Sequence, residues 1–569
     1  MRLIKSALKS VDPYEVVRRH VSFDPDSGRV AVSEAPLDEA SKYPAGERGS
    51  MNQKPLKDEP QLAEREVSDG TSSEESLSEE SLKEEKGSEE KGSEENTRVW
   101  TLSPDQDVYL LGSGKAAVTM ARALEEIFKE RIRDGLVIVP QGVAEPMQRI
   151  RALEGSHPLP DANSLASTYE LIDLATKIPD GSLVFYLLSG GSSALLCRPA
   201  DELELDDLVA THQLLLTSGA NIHEMNVVRT ALSSVKGGQL LQYLSHTDLV
   251  DLVISDVPGD LLRSIGSGPT TTGTVRFGEA YQVLQRYNLG DRVPESVQRF
   301  LNERREVAPD HTVAPHPGPH HQFLISSAGI LARRVAAECR RNGYEAEVMS
   351  PAYDAPIGEV EKMILSRIHD EVASDRTERP IQDPGSVGTG SAVPEDEGGA
   401  RSFGLGSTED GPTPGSDEDG PTPGSSEDGS TPGSAEDGPT PGSAGNKIAG
   451  GKCLIWFGES SVNVSGSGKG GRNQELALRI ARHLMPGDGV VAASVGTDGV
   501  DGPTDAAGAV VSGDTLQIAA GKGLDPQAYL QNNDSYTFFD QTGGLIKTGP
   551  TGNNLMDLQV VMIGGGKQR

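Results

Sequence analysis

The chain has 569 residues, length for about two to four ordinary domains, and a formal net charge of -33 that argues against nucleic-acid or anionic-membrane partners, since either would repel it before specific contacts formed. Its three cysteines, Cys197, Cys339 and Cys453, are widely spaced, with no CxxC pair and no histidine at metal-ligand spacing, which excludes a disulfide framework and a zinc site as readings and fits a reducing compartment. No apolar run reaches bilayer length and the start lacks a secretory signal, so a cytoplasmic location is expected; the basic, acid-poor first residues make a mitochondrial presequence the secondary reading.

Leu3, Leu8, Val16 and Val17 fit an ordinary first helix. From about residue 40 to 97 the chain is acidic, serine-rich and poor in large apolar side chains; ordering it would cost more than burial returns, so disorder is expected. Apolar runs at 108–111, 136–139 and 183–188, with a helical pattern at 116–129, predict buried parallel strands covered by helices. After about residue 310 the alternation restarts, with strands at 322–326, 454–457, 490–495 and 558–563 and helices ending at 341 and spanning 473–483. A second low-complexity stretch, about 374–450, carries a nine-residue repeat of the type EDGPTPGSx beginning at Glu409, Glu418, Glu427 and Glu436; its prolines and glycines forbid regular structure, and it reads as an expanded loop rather than a docking tail. The expected fold class is therefore α/β with two domains, 1–310 and 311–569, each a mainly parallel sheet flanked by helices.

Gly-rich turns lie where strands give way to helices. Gly112-Ser113-Gly114-Lys115 offers backbone amides to an anion beside a lysine, yet lacks both the GxGxxG and GxxxxGK[ST] patterns, so it is equally a tight turn with a solvated lysine. Ser189-Gly190-Gly191-Ser192-Ser193 repeats the arrangement with three hydroxyls, favouring a phosphate or carboxylate cradle. Asp256 ends another apolar strand, where an acid can hold metal or orient a hydroxyl. Arg472, followed by Asn473 and Glu475, is a permanently charged planar donor at a helix start, where the macrodipole disfavours a purely structural cation. The loop bearing Thr497, Asp498 and Asp501 admits Mg²⁺, ribose or phosphate contacts, or is a glycine turn with solvated acids; another polar glycine loop carries Thr551 and Asn554.

In this order, GSGKA, SHPLPD, LSGGSSALL, MNVVRTALSSVKGGQL, ISDVPGD, SGPT, GGRNQELAL, GTDGVDGPTDAAGA, NNDSYTFF and KTGPTGNNLMDL resemble the class II glycerate kinases with a MOFRL-type C-terminal domain. The resemblance implies a Rossmann-like N-terminal domain, ATP and glycerate in an interdomain cleft, Mg²⁺ dependence, and phosphorylation of D-glycerate, usually at the 2-hydroxyl, in serine and glycerate carbon metabolism. It puts the family's active-site lysine on Lys115, its GGRNQE arginine on Arg472 and its strand-end aspartate on Asp256. Gly112, Gly114, Ser189, Gly190, Gly191, Ser192, Ser193, Asn473, Glu475, Thr497, Asp498, Thr551 and Asn554 are then expected around substrate and nucleotide, with Asp498 and Asp501 towards Mg²⁺ and the glycerate carboxylate in a helix-start amide cradle. The partners implied are the small molecules D-glycerate and ATP, with the chain a monomer or homodimer. Departures from the family pattern occur at Ser192, at Phe457 to Ser461 and at Asn553. Two rival readings are a hydroxypyruvate-reducing enzyme, which calls for the complete GxGxxG absent here, and a scaffold acting through its acidic repeats.

Overall fold

The computed structural model describes residues 2–34, 97–104, 106–378 and 451–564. The two low-complexity stretches expected to be disordered lie outside the described residues, except at their edges: Thr97 begins a strand and residues 374–378 end a helix.

Two short helices, α1 (Arg2–Lys9) and α2 (Pro13–His20), open the chain. Asp12 caps α2 by accepting from the Tyr14 amide, and Pro13 fills the first turn, where no amide hydrogen is needed. Strands β1 (Val21–Asp24), β2 (Arg29–Ser33) and β3 (Thr97–Thr101) form an antiparallel sheet beside them. His20, 3% exposed, binds this start to the rest of the fold, with Nδ1 3.0 Å from the Ser33 carbonyl and Nε2 3.2 Å from Arg334 Nη2. These contacts require a neutral ring that donates from Nδ1 and accepts at Nε2. Burial and then the Arg334 charge lower its pKa from 6.5 to about 4. The unfolded chain takes up this proton near pH 6.5 and the folded chain only near pH 4, so the associated stability is complete above pH 6.5 and falls away as pH drops, by about 3 kcal/mol in all. We expect the unfolding free-energy difference between wild type and His20→Asn, followed by urea melts, to shrink over that window; a difference independent of pH would mean that the ring is not held neutral.

The main sheet uses β4 (Val108–Ser113), β5 (Ile132–Pro140), β6 (Ile150–Gly155), β7 (Leu183–Leu188) and β8 (Asp248–Ile254). After an antiparallel pair, β9 (Thr274–Arg276) with β10 (Asp310–Thr312), whose strands are separated by two helices, the chain returns as β11 (His320–Ser326). The strand order is β11-β8-β7-β4-β5-β6, parallel throughout. β4 and β7 are buried at every position, as their unbroken apolar runs require. Helices α3 (Ala117–Phe128) and α4 (Ala162–Lys177) cover the sheet, a single turn α5 (Ser192–Leu195) follows β7, and α6 (Leu205–Leu216), α7 (Ile222–Ala231), α8 (Phe277–Arg286) and α9 (Glu295–Val307) build a separate apolar cluster at its side.

β11 corrects the expected boundary. It was assigned by sequence to the second α/β unit but hydrogen-bonds to β8, so the first sheet extends to Ser326. Next come α10 (Ala328–Arg341), β12 (Glu345–Val348), β13 (Tyr353–Pro356), α11 (Ile357–Glu378), β14 (Lys452–Ser461), α12 (Arg472–Ala481), β15 (Val490–Gly496), β16 (Gly508–Ser512), β17 (Leu545–Ile546) and β18 (Asp557–Ile563). The second sheet, β12-β14-β18-β15-β16-β17, is not mainly parallel: β12 and β13 run parallel to β14, while the other pairings are antiparallel. β18, the last strand, fits between β14 and β15 and runs against both. One apolar cluster joins α1, α2, α3, a face of the first sheet, α10 and a face of the second, so both sheets share a core.

Candidate active site

Strand order in the first sheet reverses between β4 and β7, so the loops leaving their carboxyl ends part and open a crevice. The loops are laced together by the Lys115 amide donating to the Gly190 carbonyl (2.8 Å), the Ser189 amide to the Ser113 carbonyl (3.2 Å) and the Ala116 amide to Ser189 Oγ (3.0 Å). Two glycines make this approach possible. A Cβ on Gly190 would lie 2.0 Å from Asp256 Oδ2, and one on Gly191, at φ +85°, would press on the Lys115 stem and the His157 ring at 3.2 and 3.3 Å. Lys115 itself lies in the turn before α3 rather than in its first helical turn.

Two cavities meet at this point. The larger, about 530 Å³, is lined by Lys115, Gln141, His157, Asp498 and Asn554 among others, so loops attached to both sheets face it. The smaller, about 330 Å³, is lined by His157, Gly191, Ser193, Arg229, Asp256 and Glu459, among others. His157 borders both, and Lys115 lies on the wall of the first with its stem against Gly191 of the second. The Lys115 ammonium has no ion-pair partner among the described residues, although its charge reaches the carboxyls of Asp256 and Asp498. Burial raises both carboxyl pKa values; Lys115 opposes this at Asp256, and the Val500 amide, Arg472 and Lys115 oppose it at Asp498. At His157, burial, Lys115 and Arg229 all lower the pKa, favouring a neutral imidazole.

Several residues expected around ligand instead hold the walls. Gly112 lies in β4 against Leu187, and Gly114 against Ser189. Ser189 Oγ serves the Ala116 amide, Ser192 Oγ bonds Ser113 Oγ, and Ser193 Oγ meets Ser267 Oγ at 2.9 Å, leaving only Gly191 and Ser193 of that segment on a cavity wall. In the second lobe Asn473 spans Asp557 and Ser494, and Glu475 pairs with Arg479 and Asn533. Thr497 and Thr551 bond to backbone around the final loop. Asp501 is corrected from metal ligand to helix cap: its two oxygens accept the Asn473 and Gln474 amides at 3.0 and 2.8 Å at the start of α12. No group of three or more His, Cys, Asp or Glu side chains is arranged around a common point among the described residues.

Arg472 lines neither cavity. Its Nε lies 2.8 Å from Asp557 Oδ2 and its Nη2 donates to Glu459 Oε1 at 2.8 Å. Burial weighs against the guanidinium charge, but Asp557 and Glu459 outweigh it and raise its pKa. Glu459, Asp557, His157, Asn226 and Arg229 are not singled out by sequence as site residues, although His157, Asn226, Arg229 and Asp557 lie within SHPLPD, MNVVRTALSSVKGGQL and KTGPTGNNLMDL. Arg229 had one signal, a lone charge in the apolar run NVVRTAL.

The structure thus defines a two-lobed α/β enzyme with paired cavities at a strand-order reversal and a lysine between them. Family models match residues 71–302, described as a domain of unknown function, DUF4147, and 452–557, described as the MOFRL family. A glycerate 2-kinase from Pyrococcus horikoshii is 32% identical over 80% of this chain and 87% of its own length. A crystal structure of glycerate kinase from Thermotoga maritima superposes with a TM-score of 0.62 at 31% identity, covering 81% of this chain and 92% of that one. A protein from Agrobacterium vitis, 32% identical over 80% of this chain and 99% of its own, carries the provisional name hydroxypyruvate reductase. The chain belongs to the class II glycerate kinase family and is an enzyme of that family.

Proposed function

We propose that this enzyme transfers the γ-phosphoryl group of ATP to the 2-hydroxyl of D-glycerate. The observation that carries the reading is Lys115, an ammonium without an ion-pair partner among the described residues, at the junction of a larger and a smaller cavity. The larger cavity takes the nucleotide phosphates and the smaller takes the three-carbon acid. Phosphoryl transfer asks little covalent chemistry of the protein; it asks for in-line positioning and for positive charge on the transferring oxygens. Lys115 supplies that charge; Arg472, held by Asp557 and Glu459 off the cavity walls, adds to it from the second lobe through its field at Asp498. Asp256, held against Gly190, accepts a hydrogen bond from the attacking hydroxyl and takes its proton as the new P–O bond forms. Asp498 suits a magnesium ion, which binds through one or two carboxylates plus phosphates: it lines the nucleotide cavity, and its Oδ2 has no hydrogen bond among the described residues. Such an ion would neutralise phosphate charge there. Regiochemistry at the 2-hydroxyl rests on relatives named glycerate 2-kinase and D-glycerate 2-kinase.

The reading is tested by phosphorus and proton NMR of the product made by the full chain from ATP, Mg²⁺ and D-glycerate. Stoichiometric ADP and 2-phosphoglycerate are expected. Exclusive 3-phosphoglycerate would overturn the regiochemistry; no ADP, together with oxidation of NADH by hydroxypyruvate, would overturn the reaction class.

A further inference from the structure

The smaller cavity contains hydrogen-bond donors that the protein does not satisfy. Arg229, half-buried on α7, has neither an ion pair nor a hydrogen bond among the described residues. One turn earlier Asn226, 9% exposed, accepts from Ser267 Oγ at 3.1 Å through Oδ1, leaving its Nδ2 buried without an acceptor. His212 on α6 lines the same cavity with a buried, unpartnered Nε2. A buried donor without an acceptor is expensive, and the Asn226 amide beside an unpaired guanidinium on the same helix calls for an anion. The electrostatics agree. Burial, then Arg229 and Lys236, lower the His212 pKa to about 3, and Arg229 is also among the charges that depress His157. Of the three acids on this cavity, Glu459 is engaged by Arg472, Asp256 faces Gly190, and Asp354 on β13 is exposed to solvent.

We propose that Arg229, with Asn226 Nδ2 beside it, is the anchor for the carboxylate of the acceptor substrate and so sets the enzyme's selectivity for hydroxy acids over neutral polyols. This rests on the phosphotransfer reading above and replaces the helix-start cradle as the carboxylate site, since α5 is a single turn whose Ser192 and Ser193 hydroxyls are spent on Ser113 and Ser267. A guanidinium presents parallel donors that match two carboxylate oxygens, and such a bidentate pair is among the strong hydrogen-bonded contacts. Asp256 on the same wall set then receives the hydroxyl, so the acid is held at both ends.

The experiment uses the full chain as wild type, Arg229→Met and Asn226→Asp, the last supplying an internal carboxylate to compete for the arginine. Steady-state kinetics should show KM for D-glycerate raised about 100-fold in Arg229→Met, with KM for ATP changed by less than about threefold, and the preference for D-glycerate over glycerol lost. Asn226→Asp should raise KM for D-glycerate in the same direction. Calorimetric titration without nucleotide should detect D-glycerate binding to wild type, with inorganic phosphate binding more weakly, and neither to Arg229→Met. If wild type phosphorylates D-glycerate while both variants keep its KM and selectivity, the anchor is overturned and the phosphotransfer reading stands. If wild type transfers no phosphoryl group yet binds D-glycerate or D-lactate in an Arg229-dependent way, the reaction fails and the anchor stands. Absence of carboxylate binding by wild type overturns the anchor, and circular dichroism identifies a misfolded variant, in which case the other variant decides.

Discussion

Replacing Lys115 by methionine is expected to lower kcat by about 10²- to 10³-fold while the protein stays folded. The ammonium has no ion-pair partner among the described residues, so its removal breaks no salt bridge; the two carboxyls it influences, Asp256 and Asp498, are already biased towards protonation by burial. Stability should therefore move by no more than about 1 kcal/mol. The loss should fall on kcat more than on either KM, because the charge is needed most where negative charge builds on the transferring oxygens. Lys115→Arg should not restore activity: the stem is packed along Gly191 next to the His157 ring, and a planar fork is bulkier than the ammonium and differently directed. Single-turnover measurement of ADP release decides the matter. A Lys115→Met enzyme within about fivefold of wild type would remove Lys115 from the chemistry and leave the cavity junction without its cation.

Much of this site could be read before any coordinates. Gly-rich turns after apolar strands mark the carboxyl edge of a sheet, and the segments around Lys115, Gly191 and Asp256 do converge there. The strand at Leu183–Leu188 falls where its apolar run ends, because both faces of a central parallel strand are buried. Direction and partner were not legible. β14, β15 and β18 are each almost wholly buried, so their sequences record burial and say nothing of which way a neighbour runs. β11 is far along the chain from β8, and no local signal ties the two. The polar residues of the second-lobe loops misled for another physical reason. Loops rich in glycine leave many backbone groups unpaired by regular structure, and Thr497 and Thr551 are spent on satisfying them, while Asp501 is spent on the free amides at the start of α12. Arg229 and Asn226 stand within a motif that carries the family resemblance, but nothing local singles them out, since they lie in a regular helix without glycine punctuation.

Arg472 is expected to combine two roles that one substitution cannot separate. Asp557 is 1% exposed, and Arg472 is the cation beside it, with Asn473 donating to its other oxygen at 2.9 Å. Burial pushes the Asp557 carboxyl up to about 7 against the pull of Arg472. Arg472→Met removes that pull, so the folded-state pKa rises further while the unfolded value stays near 3.8. A carboxyl whose folded pKa is raised is most stabilising when protonated, and that stability is lost as pH rises through the folded value. The variant's deficit relative to wild type should therefore be small in mild acid and grow above about pH 7, reaching about 3–5 kcal/mol in urea melts under alkaline conditions. Asp557→Asn in the same chain keeps an acceptor for Asn473 but removes the stranded charge, so the double variant should recover most of the lost stability at high pH. Its turnover should not recover, because the second-lobe positive charge felt at Asp498 is still missing, and kcat should remain about 10²-fold below wild type. Activity returning along with stability would make Arg472 a strut for Asp557 and nothing more. Stability returning without activity would assign to it the charge that Lys115 alone does not supply.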